Sequence, residues 1–100
     1  MSNQKVSDQK LYVKKFINYI TIKGYSPETL EKRELSLNRF IHWCADRDIT
    51  DFKLITRPVL ESYQRHLYYL RKKNGEPLSM VTQGSHLSAI RSFFKWLARD

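Results

Sequence analysis

The chain has 100 residues, of which 41% are hydrophobic and 28% are charged, and its 18 Lys and Arg against 10 acids give a formal net charge of +8. This length and composition predict one soluble globular domain with a single core and exclude disordered and fibrous classes. The sequence has neither an apolar run near the ~20 residues that cross a bilayer nor a signal-peptide hydrophobic region, so we expect a cytoplasmic protein with no membrane partner. The positive charge favours a polyanionic partner, nucleic acid before anionic lipid.

Helical periodicity marks two amphipathic segments in the first half of the chain. The first is predicted from about Asp8 to Lys23, with Ser7 as its N-cap, and its core stripe is Val13, Phe16, Ile17 and Ile20. The second begins at the cap Ser26, with Pro27 at the first helical position, and continues to about Arg47. Its apolar side consists of Leu30, Leu37, Phe40, Ile41 and Cys44.

Two more helices are predicted in the second half. The third has Thr56 as its cap and ends in the basic, glycine-containing segment 71–75. The fourth has Ser79 as its cap and runs to the chain end, with a central stripe of Met80, Leu87, Ile90, Phe94 and Leu97 and with Phe93 beside it. Strand-like alternation is absent, so the fold class is all-α, a compact bundle of four helices.

No constellation of residues indicates a catalytic centre. The three histidines, His42, His66 and His86, fall on three different helices without a partner cysteine or a paired carboxylate. The single cysteine, Cys44, lies on an apolar stripe and is interpreted as a core residue. We therefore expect no catalytic residue, no metal site and no cofactor in this chain.

Two polar helix faces are suited to nucleic acid. On helix two, Lys32, Ser36 and Arg39 project together, and the neighbouring Leu35 indicates a contacted surface, against a thymine methyl or a protein. On helix four a face of small hydroxyl residues is flanked by polar and basic side chains, and it consists of Thr82, Ser85, His86, Ser88, Arg91, Ser92 and Lys95. Small side chains allow close approach to a base edge while Arg and Lys reach phosphates. The alternative is an ordinary solvated face.

The order of these signals resembles a known family. The segment Gly24-Tyr25-Ser26-Pro27-Glu28-Thr29, followed by Leu37-x-x-Phe40-x-x-Trp43, is similar to the second helix of the N-terminal SAM-like domain of tyrosine recombinases, which include phage integrases and Xer-type enzymes. The run from Leu87 to Leu97, LSAIRSFFKWL, is similar to the closing segment of that domain. The resemblance covers the chain from about Val6, with one departure at Arg33, where the family often has an aromatic residue.

The resemblance implies a fold, a partner and a role. The fold is an orthogonal SAM-like bundle spanning residues 1–100, and the partner is double-stranded DNA. The implied contacts come from helices two and four in the major groove: Lys32, Ser36, Arg39, Thr82, Ser85, His86, Arg91 and Lys95. In this family strand exchange through a tyrosine–phosphate intermediate belongs to a following catalytic domain, which we expect to be missing here. We therefore expect no enzymatic activity from this chain by itself.

The same resemblance extends to assembly. Helix one, through Tyr12 and Tyr19, is expected to contact other recombinase protomers on DNA, whereas this chain alone is expected to be a monomer. Because the pattern of helix four reaches Asp100, we also expect the parent protein to continue beyond it.

Two other functions fit the composition. One is a non-catalytic helical domain whose positive charge serves an acidic protein partner or solubility. The other is a helix-turn-helix regulator, which is disfavoured because no two helices are joined by the tight turn which that motif needs, apart from the short Gly24–Ser26 link.

Overall fold

The computed structural model describes the backbone of residues 2–99 and the side chains of residues 6–99. Within that range the chain forms four α-helices, α1 (Ser2–Ile22), α2 (Pro27–Ala45), α3 (Arg57–Tyr69) and α4 (Met80–Leu97), and one short 3-10 helix at Phe52–Leu54. The predicted all-α bundle is confirmed, since the described residues contain no strand beyond an isolated bridge between Arg71 and Pro77. None of the described helices combines the length and the apolarity needed to cross a membrane.

Serine side chains cap the N-termini of α2 and α4. The hydroxyl of Ser26 accepts a hydrogen bond from the backbone N–H of Thr29 at 3.3 Å, and Ser79 accepts one from Thr82 at 3.1 Å. Each bond satisfies one of the free N–H groups in the first turn of the helix, so both predicted caps are confirmed. Thr56 precedes α3 in an extended conformation but makes no side-chain cap bond.

The predicted start of helix one is wrong. α1 begins at Ser2 rather than near Asp8, so Ser7 lies inside the helix and is not its cap. The residues before Asp8 include neither Gly nor Pro, and Val6 packs against the core, so nothing stops the helix from extending toward the N-terminus.

The third helix ends before the basic segment. Leu70 is extended, and the guanidinium of Arg71 donates to the carbonyl oxygens of Tyr68 and Leu70 at 3.2 and 3.1 Å. The basic residues that follow therefore belong to an ordered turn, in which the N–H of Lys72 donates to the carbonyl of Glu76 at 2.8 Å.

Five of the twelve residues in the core cluster are aromatic. Phe16 of α1 meets Phe93 of α4 with ring centroids 5.5 Å apart, and Phe40 of α2 meets Tyr63 of α3 at 4.8 Å. Each of these four rings is at most 2% exposed. Such edge-on pairs add to the free energy of apolar burial and hold the four helices around one centre.

Two predictions about the stripe of helix four need correction. Met80 is not a core residue, because it is 74% exposed in the first turn of α4, where no other helix covers it. Phe93 belongs at the centre of the stripe instead, at 1% exposure, with Ala89 and Ile90 also buried. The buried side is rotated toward Phe93 because α1 and α2 both pack on α4 from that direction.

These two residues make a matched test of the packing. We expect Phe93→Ala to lower the free energy of unfolding by about 3–5 kcal/mol, because it leaves a cavity among Phe16, Phe52 and Trp96. Met80→Ala on the same helix should change it by no more than ~0.5 kcal/mol, as at other exposed sites. Urea unfolding followed by circular dichroism measures both values. Equal losses from the two variants would contradict this description of the core.

Candidate nucleic-acid interface

One hydrogen bond joins the two helices whose polar faces indicated a nucleic-acid partner. Oγ of Ser36 on α2 lies 2.6 Å from Nδ1 of His86 on α4. Ser36 is 5% exposed, so its hydroxyl faces the junction between the helices rather than the solvent. His86 is half-buried, and burial lowers the pKa of its imidazole, with a further lowering by the positive charge of Arg39. Three predicted site residues, Ser36, His86 and Arg39, therefore lie close together.

A shallow groove lies beside this pair. It is lined by α2 on one side and by α4 on the other, through Thr29, Lys32, Arg33, Ser36, Ser85 and Ser88, and we call it the α2–α4 groove. Its α4 side carries only hydroxyl groups, while its α2 side carries two cations. DNA presents anionic phosphates and hydrogen-bonding base edges. The cations of one wall are complementary to the phosphates, and the hydroxyl groups of the other are complementary to the base edges.

The two predicted cations of α2 are both exposed and differ in their partners. Lys32 extends into solvent with 75% of its side chain exposed and pairs with Glu28 one turn earlier at 3.3 Å. An exposed pair of this kind contributes at most ~1 kcal/mol, so Lys32 is readily released to another anion. Arg39 lies one turn beyond Ser36, exposed and close enough to His86 to affect its pKa.

The basic residues of α4 diverge from one another. Arg91 points toward α3, where it shares a depression with Arg57 and Glu61. Lys95 points toward α1 and lies in a depression that Arg33 also lines. The structure therefore does not place Arg91 with the α2–α4 groove. Lys95 is linked to the groove only by Arg33, which lines both the groove and the depression that contains Lys95.

Thr82 takes part in the N-terminal cap of α4. Its Oγ1 accepts a hydrogen bond from Oγ of Ser79 at 3.0 Å, while its backbone N–H donates to the same Ser79 oxygen. The side chain is exposed, and its own hydroxyl proton remains available as a donor toward solvent.

Sequence reasoning missed Arg33 as a site residue. Its guanidinium lies over the ring of Tyr25, 5.4 Å from the centroid, and it lines both the α2–α4 groove and the depression that contains Lys95. The family resemblance marks this position only as one where an aromatic residue is common. The contact with Tyr25 explains how an arginine fits at that point: its planar cation stacks on a neighbouring ring.

None of the described side chains has the properties of an activated nucleophile. Burial raises the pKa of the Cys44 thiol to about 12, and burial also raises that of the Tyr63 hydroxyl to about 12. The half-buried Tyr19 has a lowered pKa because its hydroxyl interacts with Lys23 and Arg99, but both neighbours are cations and cannot accept its proton. Among the residues that the structure describes, no cluster of three His, Cys, Asp or Glu could hold a metal ion.

The comparisons with known proteins agree with this picture. The family model of the phage integrase N-terminal SAM-like domain matches residues 12–100. A curated protein from Ralstonia nicotianae, described as tyrosine recombinase XerC 2, is 44% identical over 89 residues. That alignment covers 89% of this chain and 26% of the relative, so the chain spans about a quarter of the length of the curated relative it matches. No solved structure gives a significant match.

The four-helix fold and these matches lead to the same assignment. A family match over nine-tenths of the chain is joined by close identity to a recombinase over the same stretch. The chain belongs to the family of N-terminal SAM-like domains of phage integrases.

Proposed function

We propose that this domain binds double-stranded DNA for a tyrosine-type site-specific recombinase, gripping one face of the recombination site with α2 and α4 in the major groove. The observation that carries the proposal is the hydrogen bond between Ser36 and His86, which holds the two helices at a fixed separation. Cations on α2 border the resulting groove, while its α4 wall consists of small hydroxyl residues. The major groove of B-DNA is wide enough to admit a helix.

The proposed contacts divide by chemistry. Lys32, Arg39 and Lys95 are assigned to phosphates, because they are exposed cations at the edges of the surface. Arg91 is assigned to a phosphate on the α3 side of α4. Thr82, Ser85 and His86 are assigned to base edges, since their polar side chains are compact, Ser85 lines the groove and His86 bonds to Ser36 beside it.

Ser36 is assigned a positioning role rather than a DNA contact. Because its buried hydroxyl donates to Nδ1 of His86 in this proposal, the imidazole carries its own proton on Nε2. That N–H is then a hydrogen-bond donor, complementary to the acceptors N7 and O6 of guanine or O4 of thymine.

The proposal for the whole protein goes further than this chain. The parent recombinase would break and rejoin DNA strands through a tyrosine–phosphate intermediate in a separate catalytic domain, with other protomers on the same DNA. The exposed apolar residues of α1, Leu11 at 53% and Ile22 at 87%, suit a contact with a second protomer. A non-catalytic interaction domain is the alternative, and DNA titration separates the two.

The first prediction concerns chemistry. We expect the isolated chain neither to cleave DNA nor to become covalently attached to it, because burial raises the pKa of the Cys44 thiol and of the Tyr63 hydroxyl, and the cations beside Tyr19 cannot accept its proton. Incubation with supercoiled plasmid and with a nicked suicide substrate, followed by denaturing electrophoresis, measures both. A stable protein–DNA adduct would overturn the assignment of this chain as a binding domain.

The second prediction concerns the DNA-binding face. Arg39→Ala and Lys95→Ala should each weaken duplex binding and reduce the slope of log K against log[salt] by about 0.9, as expected for one lost phosphate contact. Lys14→Ala removes the same charge from the exposed side of α1 and should have little effect. Fluorescence anisotropy at several salt concentrations measures all three. Equal losses from the three variants would show that the attraction is diffuse and that this face is wrong.

The third prediction concerns His86. We expect its pKa to lie below the ordinary value of about 6.5. Arg39→Ala should raise it, because the guanidinium no longer repels the imidazolium. The imidazole should therefore be neutral at pH 7 with its proton on Nε2, and protonation as the pH falls should disrupt the bond from Ser36. Nitrogen-15 NMR of the imidazole measures both the pKa and the tautomer. A proton on Nδ1 at pH 7 would refute the role assigned to Ser36.

A further inference from the structure

A second surface cavity lies outside the α2–α4 groove. It is an open cleft of about 850 Å³ between the second half of α2, the end of α3 and the connection 70–78, and we call it the basic cleft. Five of its lining residues are cations: Arg39, Arg47, Arg71, Lys72 and Lys73. A single carboxylate, that of Asp46, lies among the lining residues. The cleft is therefore strongly positive.

The basic side chains of the cleft rest on ordered backbone rather than on a loose loop. Lys72 and Lys73 belong to a turn closed by the bond from Lys72 N–H to the Glu76 carbonyl and by a second from Gly75 N–H to the Lys72 carbonyl at 2.9 Å. Gly75 adopts a φ of +85°, which a glycine accepts without strain. Cations on an ordered turn lose less conformational entropy when they bind an anion.

Trp43 holds one of these five cations, Arg47, in place. The guanidinium of Arg47 lies over the indole of Trp43, 4.1 Å from the centroid, and its Nη1 donates to the Trp43 carbonyl oxygen at 3.1 Å. The indole is 8% exposed, and its N–H has no acceptor among the described residues. These two contacts hold the exposed Arg47 at the lining of the cleft, with several of its N–H donors still free for an anion.

The basic cleft and the α2–α4 groove follow one another along α2. Ser36 lines the groove, while the adjacent Leu35 and Arg39, one turn further along α2, line the cleft. Arg39 is close enough to His86, the partner of Ser36, to lower the pKa of its imidazole. A ligand that occupies the groove and continues along α2 toward its C-terminus reaches the cleft next.

We propose that the basic cleft binds the sugar-phosphate backbone of DNA beside the segment contacted by α4, so that the turn 71–75 forms a third element of the DNA interface. The inference rests on the proposed function, and its support is the charge of the cleft and its continuity with the α2–α4 groove. The ligand class is a run of phosphate groups, recognised without base specificity. This position explains why the basic residues after α3 are held in an ordered turn.

The test removes two charges from the turn and two from elsewhere. Lys72→Ala/Lys73→Ala should raise the Kd for duplex DNA on the order of tenfold near 0.1 M salt and reduce the salt slope by up to about 1.8, since each phosphate contact contributes about 0.9. The matched control is Lys14→Ala/Lys53→Ala, which lowers the net charge equally through exposed residues of other elements. Asp46→Asn should strengthen binding, because it removes the carboxylate of the cleft.

The outcomes separate this inference from the function on which it rests. If Arg39→Ala and Lys95→Ala weaken binding while the Lys72/Lys73 variant behaves like its control, the cleft proposal fails and the α2–α4 face stands. If no variant weakens binding beyond the control, both proposals fail.

A second measurement does not depend on affinity. In a Trp96→Phe background, Trp43 is the single tryptophan, and its emission should change when duplex is added, because phosphates enter next to the Arg47 guanidinium that covers it. The Lys72/Lys73 variant should reduce that change at saturating DNA. An unchanged emission at saturation would overturn the proposal.

Discussion

The α2 residues proposed to touch DNA are oriented by the burial of the opposite side of that helix. Leu37, Phe40, Ile41 and Cys44 are each at most 2% exposed and fix how this helix is rotated against its neighbours. The opposite side is thereby turned outward, and with it Lys32, Leu35 and Arg39. Since a helix has 3.6 residues per turn, a rotation by one position would move each of these side chains by about 100°. Apolar packing therefore sets the geometry of a surface whose chemistry is polar.

The junction between α2 and α4 is unusual because polar groups lie inside it. A buried hydroxyl and a half-buried imidazole are costly to desolvate unless they satisfy one another, and at 2.6 Å they do. An apolar pair of similar size would pack equally well but would leave no directional bond between the helices. The hydrogen bond gives the two helices a defined register.

Charge is distributed so that binding can be strong without being permanent. α4 carries no acid along its whole length, while the cations of α2 and of the basic cleft are each near one carboxylate, Glu28 or Asp46. These carboxylates reduce the positive electrostatic potential but leave both surfaces accessible to an anion. An interface of this kind gains most of its affinity from released counterions and is sensitive to salt.

The sequence by itself determined the helices, two of their caps and most of the core. Periodicity and serine caps act within one or two turns of chain, so Ser26 and Ser79 were identified correctly, as were Phe16, Phe40 and Ile90. The predicted start of α1 was wrong because residues 2–7 contain neither Gly nor Pro, so no local signal marks where the helix begins. Tertiary structure alone decided that Met80 is exposed, that Ser36 bonds His86 across 50 residues, that Arg91 and Lys95 point apart, and that Lys73 lines the same cleft as Arg39. Each of these depends on how one helix is rotated and placed against another, and that is set by the packing of side chains distant in sequence.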